Sequence, residues 1–115
     1  MRETVEGPAI LPGYPYRLRL ASESPLFLQG AQFYAQVRQS TSAGEILAEI
    51  ASQSGGFERR SDTEIELVLS PAQTAALPLG HVVLDLIRTD LNPPQHLGIF
   101  LELPVLQPVT RSSAS

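Results

Sequence analysis

Apolar and polar residues alternate with a period of two in several stretches of this chain, which commits them to strands with one buried face. In "YPYRLRL" the alternation places Tyr14, Tyr16, Leu18 and Leu20 on one side and Arg17 and Arg19 on the other. Successive side chains of a strand point to opposite faces, so this is the pattern of a half-buried strand. "FYAQVR" repeats it, with Phe33, Ala35 and Val37 against Tyr34, Gln36 and Arg38. "TEIELVLS" sets Ile65, Leu67 and Leu69 against Glu64, Glu66 and Val68, and "GHVVLDLIR" sets Val82, Leu84 and Leu86 against His81, Val83, Asp85 and Ile87. "LGIFLELPV" supplies a last strand with Ile99, Leu101 and Leu103 on one face. "EILAEIA", bounded by "TSAG" and "SQSGG", is too short for a typical helix and reads as a strand.

One segment changes period. In "SPAQTAAL", Ser70 is a candidate N-cap, Pro71 takes the first helical position, and good helix formers follow, which predicts a single helical turn. With 115 residues the chain is long enough for one core but not two, and its ten prolines and eight glycines suit many short elements joined by turns. The expectation is an all-β fold, an Ig-like antiparallel β-sandwich of about seven strands with one short helical turn. Phe33, Val37, Leu67, Leu69, Leu84, Leu86 and Leu101 are its expected core. Pro8, Pro12 and Pro15 fix φ and remove amide donors, so residues 1–13 read as an extended arm, 14–103 as the sandwich and 104–115 as an extended tail.

The formal charge of −4 gives no general attraction to phosphates or anionic lipid, so nucleic acid is not an expected partner. All eight basic residues are Arg and none is Lys, which removes the lysines that often guard sheet edges. Without cysteine there is no disulfide and no thiolate chemistry, and stability has to come from packing. No apolar run approaches the roughly 20 residues that span a bilayer, and Glu3 and Glu6 fall where a signal peptide would be apolar. Membrane insertion and secretion through a cleaved signal are therefore not expected.

Candidate chemistry is sparse. His81 and Asp85 stand four residues apart on one strand, about 13 Å, too far to share a zinc ion. His96 follows the Pro93 and Pro94 turn and reads as a solvated loop histidine. There is no G-x-S-x-G elbow, and "SGG" at 54–56, with no Lys after it, reads as a hairpin turn and not a phosphate loop. Glu64 and Glu66 share the outward face of a strand and read as a solvated surface. No catalytic residue, metal or cofactor is expected. A stand-alone carbohydrate-binding sandwich would display exposed aromatics, for which Tyr34, Phe57 and Phe100 are the candidates.

Read in order, "FLQGAQFYAQVR", "IELVLSPAQTAALPLGHVVLDLIR" and "LGIFLELPVLQPVTR" resemble a family of small β-sandwich virion proteins of tailed bacteriophages, similar in pattern to the N-terminal domain of a lactococcal phage upper baseplate protein. The resemblance covers residues 26–111. Gly30, Val37 and Arg38 match a glycine followed by a strand ending in "VR". Thr74, Leu77 and Gly80 match a "T-x-x-L-x-x-G" corner, Asp85 and Leu86 a "D-L" dipeptide, and Val109, Thr110 and Arg111 a terminal "VTR". Val82 and Leu84 depart from it, standing where the family has aromatic residues.

The resemblance implies a noncatalytic assembly module of a virion, made in the host cytoplasm, in the tail, baseplate or fibre attachment region. A head decoration or neck protein is the alternative. Its partners would be other virion proteins, a second copy of the chain among them. Two sites are expected. Arg38 and Asp85, on outward rows of central strands, would form an exposed ion pair. The chain ends would dock on neighbours through Ile10, Leu11, Val105 and Arg111, the competing arrangement being that both ends fold back onto their own sandwich.

Overall fold

The computed structural model describes residues 4–39 and 44–109. They form two packed β-sheets in which eight strands take part: β1 (Thr4–Glu6), β2 (Tyr16–Ala21), β3 (Phe33–Arg38), β4 (Ile46–Ala51), β5 (Phe57–Ser61), β6 (Glu64–Leu69), β7 (Gly80–Arg88) and β8 (Gln95–Val105), with one helical turn, α1 (Pro71–Ala75). One sheet has the order β1-β8-β7-β3-β4 and the other β2-β6-β5. Strands β2 to β8 are the seven antiparallel strands of an Ig-like sandwich. The three-residue β1 is added at an edge, parallel to β8, with Thr4 opposite Phe100 and Glu6 opposite Glu102.

The alternation sorts side chains as the sequence predicts. In β6, Ile65, Leu67 and Leu69 are buried, and in β7 so are Val82, Leu84 and Leu86. Phe33, Val37 and Leu101 complete the expected core. An aromatic line crosses it: Phe33 packs edge-on against Phe27 at 5.8 Å and tilted against Phe57 at 6.0 Å. Phe27 comes from the loop between β2 and β3, where no alternation marks it. It is fixed there because its N–H donates to the Asp62 carbonyl (2.8 Å) and its carbonyl accepts from Arg59 Nε (2.7 Å).

Two expectations about connections are corrected. "SGG" does not close a hairpin, since β4 and β5 belong to different sheets; a 3-10 turn at Ser52–Ser54 carries the chain across. The N-terminal segment is not an arm standing off the sandwich. It leaves β1 in one sheet and enters β2 in the other, passing at Gly7 so close to Leu103 that a Cβ there would lie 2.7 Å from that side chain. Further on, the Ile10 N–H donates to the Pro104 carbonyl (2.7 Å), the Leu106 N–H donates to the Ile10 carbonyl (3.0 Å), and the buried Tyr16 hydroxyl donates to the Pro8 carbonyl (2.7 Å). Proline limits how the segment pairs but leaves these carbonyls and the Ile10 amide available, and the Ile10 side chain is fully buried. The tail is likewise part of the body as far as Val105, the last residue of β8.

The absent lysines are replaced in kind at the edges of the three-stranded sheet. β2 carries Arg17 and Arg19, and β5 carries Arg59 and Arg60. Arg17 bridges Glu58 (3.1 Å) and Glu66 (2.6 Å), Arg60 reaches Glu66 (2.8 Å), and Arg19 reaches Glu64 (2.9 Å). These hydrogen bonds, Arg17 first and then Arg60, hold the Glu66 carboxyl below its ordinary range. A row of charge along an edge discourages the addition of another strand.

Candidate interaction surface

Three stretches without a charged residue, 7–16, 70–80 and 103–109, converge at one end of the sandwich. Local chemistry explains why each is where it is. α1 starts with a capping box: the Ser70 hydroxyl accepts the Gln73 N–H (3.1 Å), and the Gln73 side chain accepts the Ser70 N–H (2.9 Å). Gln73 also donates to the Glu49 carbonyl (2.9 Å), tying α1 to edge strand β4. On the inner side, Thr74 is the buried polar side chain among the described residues. Its hydroxyl accepts the Gly13 N–H (3.1 Å) and lies 2.8 Å from the Tyr14 carbonyl and 3.0 Å from that of Pro71, which share its proton. Thr74 therefore pins the N-terminal segment to the corner, Leu77 is buried beneath, and Gly80 begins β7 opposite Val105.

This convergence decides the fate of the expected docking residues. Ile10 and Val105 pair with each other in a parallel bridge and are 0% and 1% exposed, so neither can touch a partner. The physical reason is that their apolar side chains find more surface to bury on their own core than a short extended arm could offer elsewhere. Leu11 remains 39% exposed, and Arg111 lies outside the described residues. Two residues not expected from the sequence join Leu11: Leu79, 55% exposed, and Leu106, 52% exposed. Pairing of Ile10 and Gly80 with Val105 brings the three leucines together, and Val109 follows, almost fully exposed. Their sequence signal was the shared absence of charge in three distant stretches.

The expected Arg38–Asp85 pair does not form. Across β3 and β7, Asp85 stands opposite Gln36 and Arg38 opposite Val83, so the two are offset by two residues in register. Arg38 instead donates to the Gly44 carbonyl and to Gln36 Oε1 (2.5 Å); Gln36 Nε2 donates to the Tyr34 hydroxyl (3.1 Å), and that hydroxyl donates to Glu49. The bond to Glu49 is the main cause of an upward shift of the Tyr34 hydroxyl. Asp85 is met from the other side. The register of β7 and β8 shifts between Asp85 and Ile87, and Gly98 takes a φ of 77°, a conformation glycine adopts freely. This brings His96 over Phe100, stacked at 4.9 Å. The Gly98 N–H donates to His96 Nδ1 (2.8 Å), so Nε2 carries the proton and donates to Asp85 Oδ2 (2.8 Å).

The possible chemistry of this face follows from those bonds. Both nitrogens of His96 are engaged, which leaves no lone pair to take a proton from a nucleophile. Of the aromatic candidates for a sugar platform, Phe57 is in the core, Phe100 is stacked beneath His96, and the Tyr34 hydroxyl is held by Glu49 and Gln36. A groove of about 260 Å³ between β4, β6 and α1 is lined by Glu49, Ser54, Ser70 and Gln73 among others, with no histidine. Among the described residues no group of three or more His, Asp or Glu could hold a metal ion, and no helix is long and apolar enough to cross a membrane. No protein-family model matches the sequence, and no curated protein matches it.

Proposed function

We propose that this chain is a noncatalytic assembly module of a tailed-phage particle, in the tail, baseplate or fibre attachment region, and that it meets other virion proteins through the uncharged end of the sandwich. The observation that carries the contact surface is the grouping of Leu11, Leu79 and Leu106, each 39–55% exposed, on an end to which three stretches contribute no charge. Interfaces differ from the remaining surface chiefly by depletion of charge at their centre, a property these three stretches share. Support for the virion setting is the order of motifs between residues 26 and 111 and the sandwich that carries them.

The Thr74, Leu77 and Gly80 corner gains a physical role in this reading. It holds the N-terminal segment and the β7–β8 ends in fixed positions, so that the exposed leucines form a preorganised surface and little ordering remains to be done on contact. The test is complementation of a phage lacking the gene with variants of the full chain. Leu79→Asp is expected to leave the melting temperature of the purified protein unchanged while reducing its recovery in particles; normal recovery would overturn the assignment of the surface.

A further inference from the structure

We infer that His96 is a proton-operated latch on the β7–β8 hairpin: with a neutral ring it pins the bulge at Gly98, and with a protonated ring it lets the bulge go. The register sets the geometry. On β7, Asp85 and Ile87 are two residues apart, whereas their partners on β8, Phe100 and His96, are four apart. Leu97, Gly98 and Ile99 therefore bulge opposite Leu86. Leu86 is fully buried, and Leu97 and Ile99, which flank Gly98, pack against the core. Whatever moves Gly98 loosens both of them and frees the hairpin tip beyond.

The backbone of Gly98 is held by a side chain that titrates. Its N–H can only donate, so the 2.8 Å bond to His96 Nδ1 exists only while that nitrogen keeps its lone pair. A second proton on the ring has to go to Nδ1, because Nε2 already carries one toward Asp85 Oδ2 at 2.8 Å. Two N–H groups then point at each other across a gap that fits one hydrogen, and attraction becomes repulsion.

Which side yields follows from what else holds each of them. The ring is held more firmly once charged: its bond to Asp85 becomes charge-assisted, and it lies 4.9 Å over the Phe100 ring, whose face attracts a cation. Gly98 has freedom to move, since its φ of 77° lies where glycine shifts at little cost and a Cβ there would meet nothing within 4 Å. The ring stays and the backbone moves. The other charged and titratable groups around the ring are engaged or further off. On β7, Arg88 is bound to Asp90; on β8, Glu102 stands two residues past Phe100 with Glu6 of β1 opposite it; on β3, Tyr34 lies opposite Ile87 with its hydroxyl on Glu49. Among the described residues, none of these bonds to His96, so Nδ1 has no acceptor waiting when it gains its proton.

Nuclear magnetic resonance of the full chain between about pH 8 and about pH 5, the range in which histidine gains charge, tests this. The amides of Leu97, Gly98 and Ile99 are expected to shift with the same midpoint as the His96 ring, while the contact between the His96 and Phe100 rings persists. Protection of the Gly98 amide against hydrogen exchange, taken relative to an unstructured chain, should fall on the order of tenfold on the acid side of that midpoint. His96→Asn isolates the cause, because an asparagine oxygen accepts the same N–H two residues on but does not titrate. In that variant the protection should persist at both pH values, with no midpoint in 97–99. A Gly98 amide that ignores the His96 titration, a His96 ring that leaves Phe100 as it charges, or a His96→Asn protein that still loses protection on the acid side would overturn the inference.

Discussion

At the scale of single residues, buried position and polar partnership make different demands, and the two can be separated by substitution. Leu84 faces the core from the middle of β7, and Leu84→Ala should cost about 2–5 kcal/mol in denaturant titration through lost burial and the cavity left behind. Thr74→Val keeps the shape but strips the partner from the Gly13 N–H and the Tyr14 carbonyl, and should cost about 1–3 kcal/mol. For Asp85, a double-mutant cycle with His96 should give a coupling of about 0.5–1 kcal/mol, while the cycle with Arg38 gives none. Acid stability gives a further check. Asp90 accepts two bonds from Arg88 and one from the Gln32 N–H, which hold its carboxyl down at about 2 against 3.8 unperturbed. Because the folded value is the lower one, this stabilisation is complete above the unfolded value and is lost as pH falls through about 2. Asp90→Asn should flatten stability in that window, leaving a smaller slope from Glu66, whose carboxyl is also lowered.

At the scale of elements, the N-terminal segment is a strap between sheets, and its removal is the sharpest test. Deleting residues 1–11 takes away β1, the buried Ile10 and the carbonyl that receives the Tyr16 hydroxyl; the melting temperature should fall strongly, and Ile10→Ala alone should cost about 2–5 kcal/mol. An unchanged melting curve would mean that the segment does not lie on the body. This element was illegible in the sequence for a specific reason. Alternation reports a face, and "EGPAILPGYP" has no alternation, since its prolines interrupt the pattern while its single buried side chain, Ile10, is set by a long-range bridge to Val105. By contrast β3, β6 and β7 repeat the period over several residues, and their inward sides were legible in full. The Asp85 partner was missed because a bulge moves His96 by more than one register step, and only Gly98 in "HLGIF" hints at it. Of the proposed docking end, Leu11 was legible, whereas Leu79 and Leu106 depend on which strand ends the sandwich places side by side.

At the scale of the whole molecule, the two faces and the two ends have different characters. The outer face of the three-stranded sheet is a charge lattice, that of the five-stranded sheet a hydrogen-bonded network from Arg38 to Glu49, and the end around Leu79 is apolar. On both faces these charged groups already have partners within the chain, whereas the leucines at the apolar end gain by leaving water.

The parallel arrangement of β1 and β8 also fixes how the molecule responds to being pulled. The chain enters β1 at Thr4, beside Phe100, and leaves β8 at Val105, so tension applied between these two points runs along both strands in opposite senses. The hydrogen bonds joining them, and the two that Ile10 makes to Pro104 and Leu106, would then be strained together in shear instead of being opened one after another. Resistance to such a pull is a matter of rate, governed by the unfolding barrier more than by equilibrium stability. The paired edge of the five-stranded sheet would in this way carry a load along its length as one unit.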